Sequence, residues 1–180
     1  MDLGSHTFEV ERPVAAEGAS TDFDVLILCE HASNTIPNGL NNLGLTKDIL
    51  ESHIAWDPGA LGIAKALVRP LNGRLIYSTV SRLVYDCNRP PEAASAMQSE
   101  SEIYHVPGNF NLTEYQQSER VQKIYDPFRR AVISCLSGRI TTSYIATIHT
   151  FTPVFNGLYR DVEIGIFILL CVHNQRYSST

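Results

Sequence analysis

No stretch of this 180-residue chain is apolar for long enough to span a bilayer. The nearest approach, Val162 to Val172, is too short and is interrupted by Glu163 and Gly165. An excess of basic charge is missing too: the net charge of −5 gives no electrostatic reason to expect nucleic acid or an anionic membrane as partner. Arg129-Arg130 is a pair, not a patch. None of the four cysteines (Cys29, Cys87, Cys135, Cys171) stands in a CxxC pair, and together they do not make the framework of a small disulfide-rich domain. Their mostly apolar neighbours predict buried free thiols in a reducing cytoplasm. The first residues lack the basic, apolar and small-residue order of a signal peptide. There is no internal repeat and no short-range metal motif such as HExxH, so any metal site has to be assembled from distant segments. What remains is an ordinary soluble composition, 44% hydrophobic and 18% charged, long enough for one domain with a genuine core.

What the chain does have is a strand that runs straight into a polar corner. Val25 to Cys29 is a continuous apolar run of the length expected for a strand buried on both faces, and Glu30-His31-Ala32-Ser33-Asn34 follows at once. Ligands of open α/β sheets bind where the chain leaves such a strand's carboxyl end. A later segment repeats the arrangement, with Tyr144 to Ile148 leading into His149-Thr150-Phe151-Thr152. Two strand ends each delivering a histidine predict the rim of one active site, and two imidazoles begin a zinc site.

Around these the expected elements alternate. Residues 1–22 read as an N-terminal arm or edge segment, and 23–180 as a single domain. The first strand is 23–29. Thr46 is placed to cap a short helix over 47–54, and Asp57-Pro58 reads as the start of another, carboxylate at the cap, ending by Pro70. Strands are expected at 74–79, 144–149 and, short, at 83–85. Asn88 to Asn111 reads as a long functional loop or lid. Thr113 with Gln116 makes a capping box for a helix to about 137, whose stripe of Tyr125, Phe128, Val132 and Leu136 belongs to the core. Strand–helix alternation predicts an α/β fold: three layers, α/β/α, around a central mixed, mostly parallel sheet, of the phosphorylase/hydrolase-like kind.

Three further groups can carry chemistry. Asp57, in His53-Ile54-Ala55-Trp56-Asp57-Pro58-Gly59, is either a helix cap or an oxygen ligand or histidine partner; the cap is the blander reading. His53 either points to the same place or packs near Trp56. In Ser81-Arg82-Leu83-Val84-Tyr85-Asp86-Cys87-Asn88-Arg89-Pro90, Arg82 or Arg89 offers a planar fork for a substrate carboxylate, against the simpler role of pairing with Asp86 to fix a loop. His105 and His173 read as surface residues.

These segments resemble the N-formylglutamate amidohydrolase-like proteins. The matching blocks are Cys29 to Asn34, His53 to Ala60, Ser81 to Pro90 and His149 to Pro153, in the family's order and covering roughly residues 23–166. The resemblance implies an α/β fold related to zinc-dependent exopeptidases and hydrolysis of the amide of an N-acyl amino acid such as N-formylglutamate. It implies His31 and His149 as metal ligands, with Glu30 or Asp57 supplying the carboxylate ligand and both standing as candidate catalytic acids. Asn88-Arg89 is similar to the pair with which zinc carboxypeptidases hold a substrate carboxylate, and Arg82, Ser33 and Asn34 are the other candidates for substrate binding. Zinc is the implied metal; manganese, iron and cobalt suit the same ligands. The metal would activate water and polarise the carbonyl, an arginine would hold the substrate, and a glutamate would shuttle the proton.

From about Phe167 the sequence no longer resembles the family, which predicts a domain incomplete at its C-terminus and a general base outside the matching part. Two other readings follow: a catalytically impaired remnant or carboxylate-binding module of the same fold, and a zinc peptidase or other deacylase. The expected partner is a small N-acyl amino acid, without nucleic acid or membrane; a homo-oligomer would cover an unpacked face.

Overall fold

The central strand owes its position to a strict alternation of its side chains. In the computed structural model, which describes residues 3, 7–11, 23–137, 142–155 and 157–161, β2 (Phe23–Cys29) sends Val25, Ile27 and Cys29 to one layer and Leu26 and Leu28 to the other. On the first face they meet Leu75 and the Ala60, Ala64 and Val68 stripe of α2 (Ala60–Val68). On the second they join Ile76, Ile124, Phe128 and Cys135. Leu26 and Ile27 are fully buried, and each such side chain contributes about 1.5–3 kcal/mol. Helices therefore cover both faces of the sheet, as the continuous apolar run predicts.

The sheet order is β1-β3-β2-β6, with β1 at Phe8–Glu11, β3 at Arg74–Ser78 and β6 at Thr142–Thr147. β2 pairs in parallel with β3 and with β6, and β1 lies antiparallel on the far side of β3, so the sheet is mixed and mostly parallel. The expected edge segment is real at Phe8–Glu11, where Phe8 packs edge-on against Phe128. Register is what matters for function. Leu28 stands opposite Thr147, and the amide of Ile148 donates to Leu28 O at 2.9 Å, so the chain leaves β2 and β6 side by side.

The predicted long helix is present with one irregularity. Thr113 and Gln116 form the full capping box, α3 (Glu114–Arg120) passes into a π-helical turn at Val121–Tyr125, and α4 runs through Asp126–Leu136. Pro127 explains the turn. It has no N–H to give the carbonyl of Lys123, and the Thr7 hydroxyl takes that carbonyl instead at 3.0 Å. The bulge thus fastens the N-terminal segment to the helix.

Three sequence expectations need correction. α1 spans only Lys47–Glu51, and the Thr46 hydroxyl makes no capping bond. Asp57 does not cap α2: Gly59, at φ +85° where a Cβ would be strained, occupies the cap and frees the carboxylate for other work. Leu83 to Tyr85 is not a strand. Ser81 binds this segment into turns, its hydroxyl accepting from Leu83 N and its carbonyl from Val84 N, although all three residues are fully buried. The expected loop from Asn88 to Asn111 holds a short 3-10 turn at Ala94–Met97, the hairpin β4 (Glu100–Ser101) and β5 (Tyr104–His105), and another turn at Pro107–Asn109. β7 (Val154–Phe155) and β8 (Leu158–Tyr159) form a last hairpin. Cys29 and Cys87 are free thiols, and they and Cys135 are buried; Cys171, His173 and the apolar run at 162–172 lie outside the described residues. No helix among the described residues is long and apolar enough to cross a membrane.

Candidate active site

Parallel pairing of β2 with β6 puts His31 and His149 next to each other, ring centroids 4.8 Å apart. A third segment closes the group. The amide of Asp57 donates to the His31 carbonyl at 2.9 Å, and this brings the Asp57 carboxylate between the two rings. Asp57 Oδ2 lies 3.3 Å from His31 Nδ1 and 2.9 Å from His149 Nδ1. The loop after β6 is tied down on the same side, where the Thr150 hydroxyl donates to Pro58 O at 2.9 Å.

Behind each ring stands another acid. His31 Nε2 donates to Asp86 Oδ1 at 2.7 Å, and Glu30 Oε2 is 3.8 Å from His149 Nε2. Asp86 is itself held by the amide of Asn88 at 2.9 Å. Arg82 spans the two aspartates, Nη1 to Asp57 Oδ1 at 3.1 Å and Nη2 near Asp86 Oδ2 at 3.6 Å. The sequence offered Arg82 either to a ligand or to Asp86; here it serves two carboxylates while remaining on the cavity wall.

These contacts fix the protonation chemistry. An Asp86 carboxylate only accepts, so the His31 proton sits on Nε2 and the Nδ1 lone pair faces Asp57 Oδ2. Two acceptors in contact require a proton or a cation between them. Burial opposes an imidazolium at His31, but Asp57 and Asp86 outweigh it and raise its pKa. Burial also works against the Asp57 carboxylate, yet the hydrogen bonds to His149 and His31 and the nearby Arg82 hold its pKa well below the usual range. Asp86 is lowered in the same way, chiefly by its bond to His31 after burial is overcome. Glu30 goes the other way: it is 3% exposed, burial dominates and raises its pKa, and its Oε2 has no hydrogen-bond partner among the described residues.

His31, Asp57 and His149 offer ligand atoms all within 4.8 Å of one another and can hold a metal ion. The donor set fits a divalent cation: two imidazoles whose far nitrogens face acids, one carboxylate with a strongly depressed pKa, and an orphaned carboxylate oxygen close behind. Of the two acids left open by the sequence, Asp57 belongs to this group and Glu30 stands behind it.

The group opens into a cavity of about 450 Å³. Asn88, Arg82, Thr150, Thr152 and Arg160 give its wall polar and cationic character, and the Arg160 guanidinium lies 5.2 Å over the Phe151 ring. Three proposed substrate contacts are elsewhere. Ser33 is turned to the Thr35 hydroxyl, the Asn34 amide donates to Leu50 O at 2.9 Å, and Arg89 is exposed beyond the wall, its carbonyl accepting from Tyr85. Local bonds that shape the loop engage the Ser33 hydroxyl and the Asn34 side-chain nitrogen. Conversely, Asp86 and Glu102 were not picked out as site residues. Asp86 carried a signal, standing four residues after Arg82 and two before Asn88; Glu102 carried none.

Comparison with known proteins adds three findings. The sequence profile described as N-formylglutamate amidohydrolase matches residues 23–168. The crystal structure of the Agrobacterium tumefaciens gene product Atu2144 superimposes with a TM-score of 0.80 at 48% sequence identity, covering 87% of this chain and 61% of that one. The chain thus spans about 61% of the length of that relative. No curated protein matches the chain significantly.

Proposed function

The chain belongs to the N-formylglutamate amidohydrolase family, and from that membership we propose that it is a zinc-dependent hydrolase cleaving the amide of an N-acyl amino acid with an acidic side chain, N-formylglutamate first among them. The observation that carries the reading is the convergence of His31, Asp57 and His149, from three separate segments, on one cavity whose wall bears Arg82 and Arg160. The free, buried thiols of Cys29 and Cys87 suit the cytoplasmic setting that goes with it.

In this reading His31, His149 and Asp57 would hold the metal. Zinc bound there supplies Lewis-acid activation of the acyl carbonyl and of water. Asp86 keeps the His31 proton on Nε2, so that Nδ1 stays available as a donor atom. Glu30 Oε2 stands 3.8 Å from His149 Nε2 on the buried side, beyond hydrogen-bond distance. Arg82 bridges Asp57 and Asp86 and, with Asn88, lines the cavity, where an anionic substrate would meet them. A carboxylate held by a guanidinium fork places the acyl carbonyl at a defined distance from the metal-ligating group.

The test begins with metal analysis of the purified protein beside His31→Ala and His149→Ala. About one zinc per chain, lost in both variants, is expected. Release of formate from N-formylglutamate is then compared with cleavage of N-acetyl and N-succinyl glutamate and of a dipeptide. A folded protein that takes up no metal on reconstitution sinks the proposal, and faster cleavage of the acetyl, succinyl or peptide substrate reassigns it.

A further inference from the structure

A second acid–imidazole pair lines the same cavity. His53 Nε2 lies 2.7 Å from Glu102 Oε1, and both residues belong to the wall that exposes His31, Asp57 and His149. They come from unconnected segments. His53 follows α1, four residues before Asp57, whereas Glu102 opens the two-residue turn between β4 and β5. Among the described residues, the group that can hold a metal is His31, Asp57 and His149, and neither His53 nor Glu102 belongs to it.

The carboxylate is presented at a cost. Glu102 has φ +53°, in the left-handed region, where a residue other than glycine, asparagine or aspartate sits about 1–2 kcal/mol above its alternatives. The hairpin that carries it is nevertheless held firmly. Val106 N donates to Ser99 O at 2.8 Å, and the buried Asn109 amide donates to Gln98 O at 2.8 Å. A strained glutamate on an anchored turn, aimed at an imidazole in the cavity, is the kind of outlier that points to function.

Amide hydrolysis needs a group that removes a proton from water and returns one to the leaving nitrogen. Among the described residues, the acids around His31 and His149 are committed. Asp57 meets two imidazoles and Arg82, Asp86 meets His31 and the Asn88 amide, and Glu30 is enclosed and does not line the cavity. Since Glu102 accepts, the His53 proton resides on Nε2 and Nδ1 is its basic nitrogen.

Resting on the amidohydrolase reading, we propose that His53 is the proton-transfer residue of this site and Glu102 the residue that positions it. As the C–O bond to the acyl carbon forms, His53 Nδ1 takes a proton from the attacking water, and Glu102 holds the resulting imidazolium. The proton passes to the amide nitrogen as the C–N bond breaks. The carboxylic acid and the amine leave, exchange their remaining proton with solvent, and His53 is again neutral.

Two measurements test this. In metal-free protein labelled with nitrogen-15 at histidine, His53 should appear as a single Nε2–H tautomer that becomes a mixture in Glu102→Ala; a mixture in the parent, or no change in the variant, overturns the positioning role. In zinc-loaded protein with N-formylglutamate, His53→Ala should lower kcat by about 100-fold or more at unchanged KM and zinc content, with partial rescue by added imidazole, and Glu102→Ala by about 10-fold. A pair that only ties the hairpin in place would instead raise KM or lower stability, without rescue, and that result overturns the proposal. A zinc-loaded parent that hydrolyses no N-acyl amino acid fails the amidohydrolase reading and this proposal with it. An active parent whose kcat is unaffected by His53→Ala fails this proposal alone.

Discussion

Arg120→Met should destabilise the metal-free protein by about 2–4 kcal/mol, a figure that follows from what the guanidinium holds. Arg120 is 1% exposed and has no carboxylate within bonding distance among the described residues. Its Nη1 donates to Val84 O at 3.1 Å and Asn109 Oδ1 at 2.7 Å, and its Nη2 to Gly108 O at 3.2 Å. Burial alone lowers its pKa to about 10, which measures how unwelcome the charge is. Removing the donor strands three acceptors, each worth about 1–3 kcal/mol, while abolishing the buried charge returns several kcal/mol. The net loss is in the stated range. Asn109 also donates to Leu83 O, so the segment leading to Asp86 loosens with it and zinc affinity should fall as well. Urea unfolding at neutral pH checks the first effect and a chelator competition the second. Arg120→Lys keeps the charge but not the planar fork and should behave like the methionine variant. A lysine variant as stable as the parent, or a methionine variant within about 1 kcal/mol of it, refutes the reasoning.

Two further outcomes follow from the same site. Asp86→Ala should weaken zinc binding by about 10–100-fold while leaving the fold intact, because it removes the acceptor that fixes the His31 tautomer; chelator competition measures it, and a change below about threefold removes Asp86 from that role. Stability of the metal-free protein should peak in mildly acidic solution. Asp57 and Asp86 are lowered from 3.8, so the stability they add is present above that value and is lost as pH falls through their folded values. His31 is raised from 6.5 and Glu30 from 4.5, so theirs is present below those values and is lost as pH rises through the folded ones. Urea midpoints at about pH 3, 5 and 8 decide it, and a midpoint that still climbs between the last two contradicts these assignments.

What the sequence made legible was local. The apolar run Val25 to Cys29 dictates a doubly buried strand, and the Thr113–Gln116 box starts a helix where it should. His31 and His149 could be paired because each directly follows a strand, and parallel strands release their chains at one end. Asp57 was ambiguous because Asp-Pro-Gly serves equally as a cap or as a turn that frees the carboxylate, and only Gly59 in the left-handed region decides. Leu83 to Tyr85 has strand composition, but the Ser81 hydroxyl binds Ala55 O and Leu83 N and folds the segment into turns. The π-helical turn leaves the Lys123 carbonyl, which Pro127 cannot serve, to the Thr7 hydroxyl, 116 positions away in sequence, and no window along the chain contains both. The Glu102–His53 pair is hidden for the same reason.

The charges of the site argue for what fills it. Glu30, Asp57 and Asp86 set three negative charges against the single positive charge of Arg82, with both imidazoles neutral. A deficit of two in a largely buried group is balanced by a divalent cation. Without one, protons must serve, and the two raised pKa values show where they go: onto His31, whose Nδ1 otherwise confronts Asp57 as acceptor against acceptor, and toward Glu30, whose burial disfavours its charge. Metal and proton therefore compete for His31 Nδ1. Zinc uptake should release protons, and more of them as the solution is made more acid and His31 and Glu30 hold their own. Calorimetry in buffers of different ionisation enthalpy reads this number as the slope of the apparent heat. Release that does not increase between neutral and acid pH would mean that His31 stays neutral before the metal arrives, and that Asp57 and Asp86 do not control its protonation.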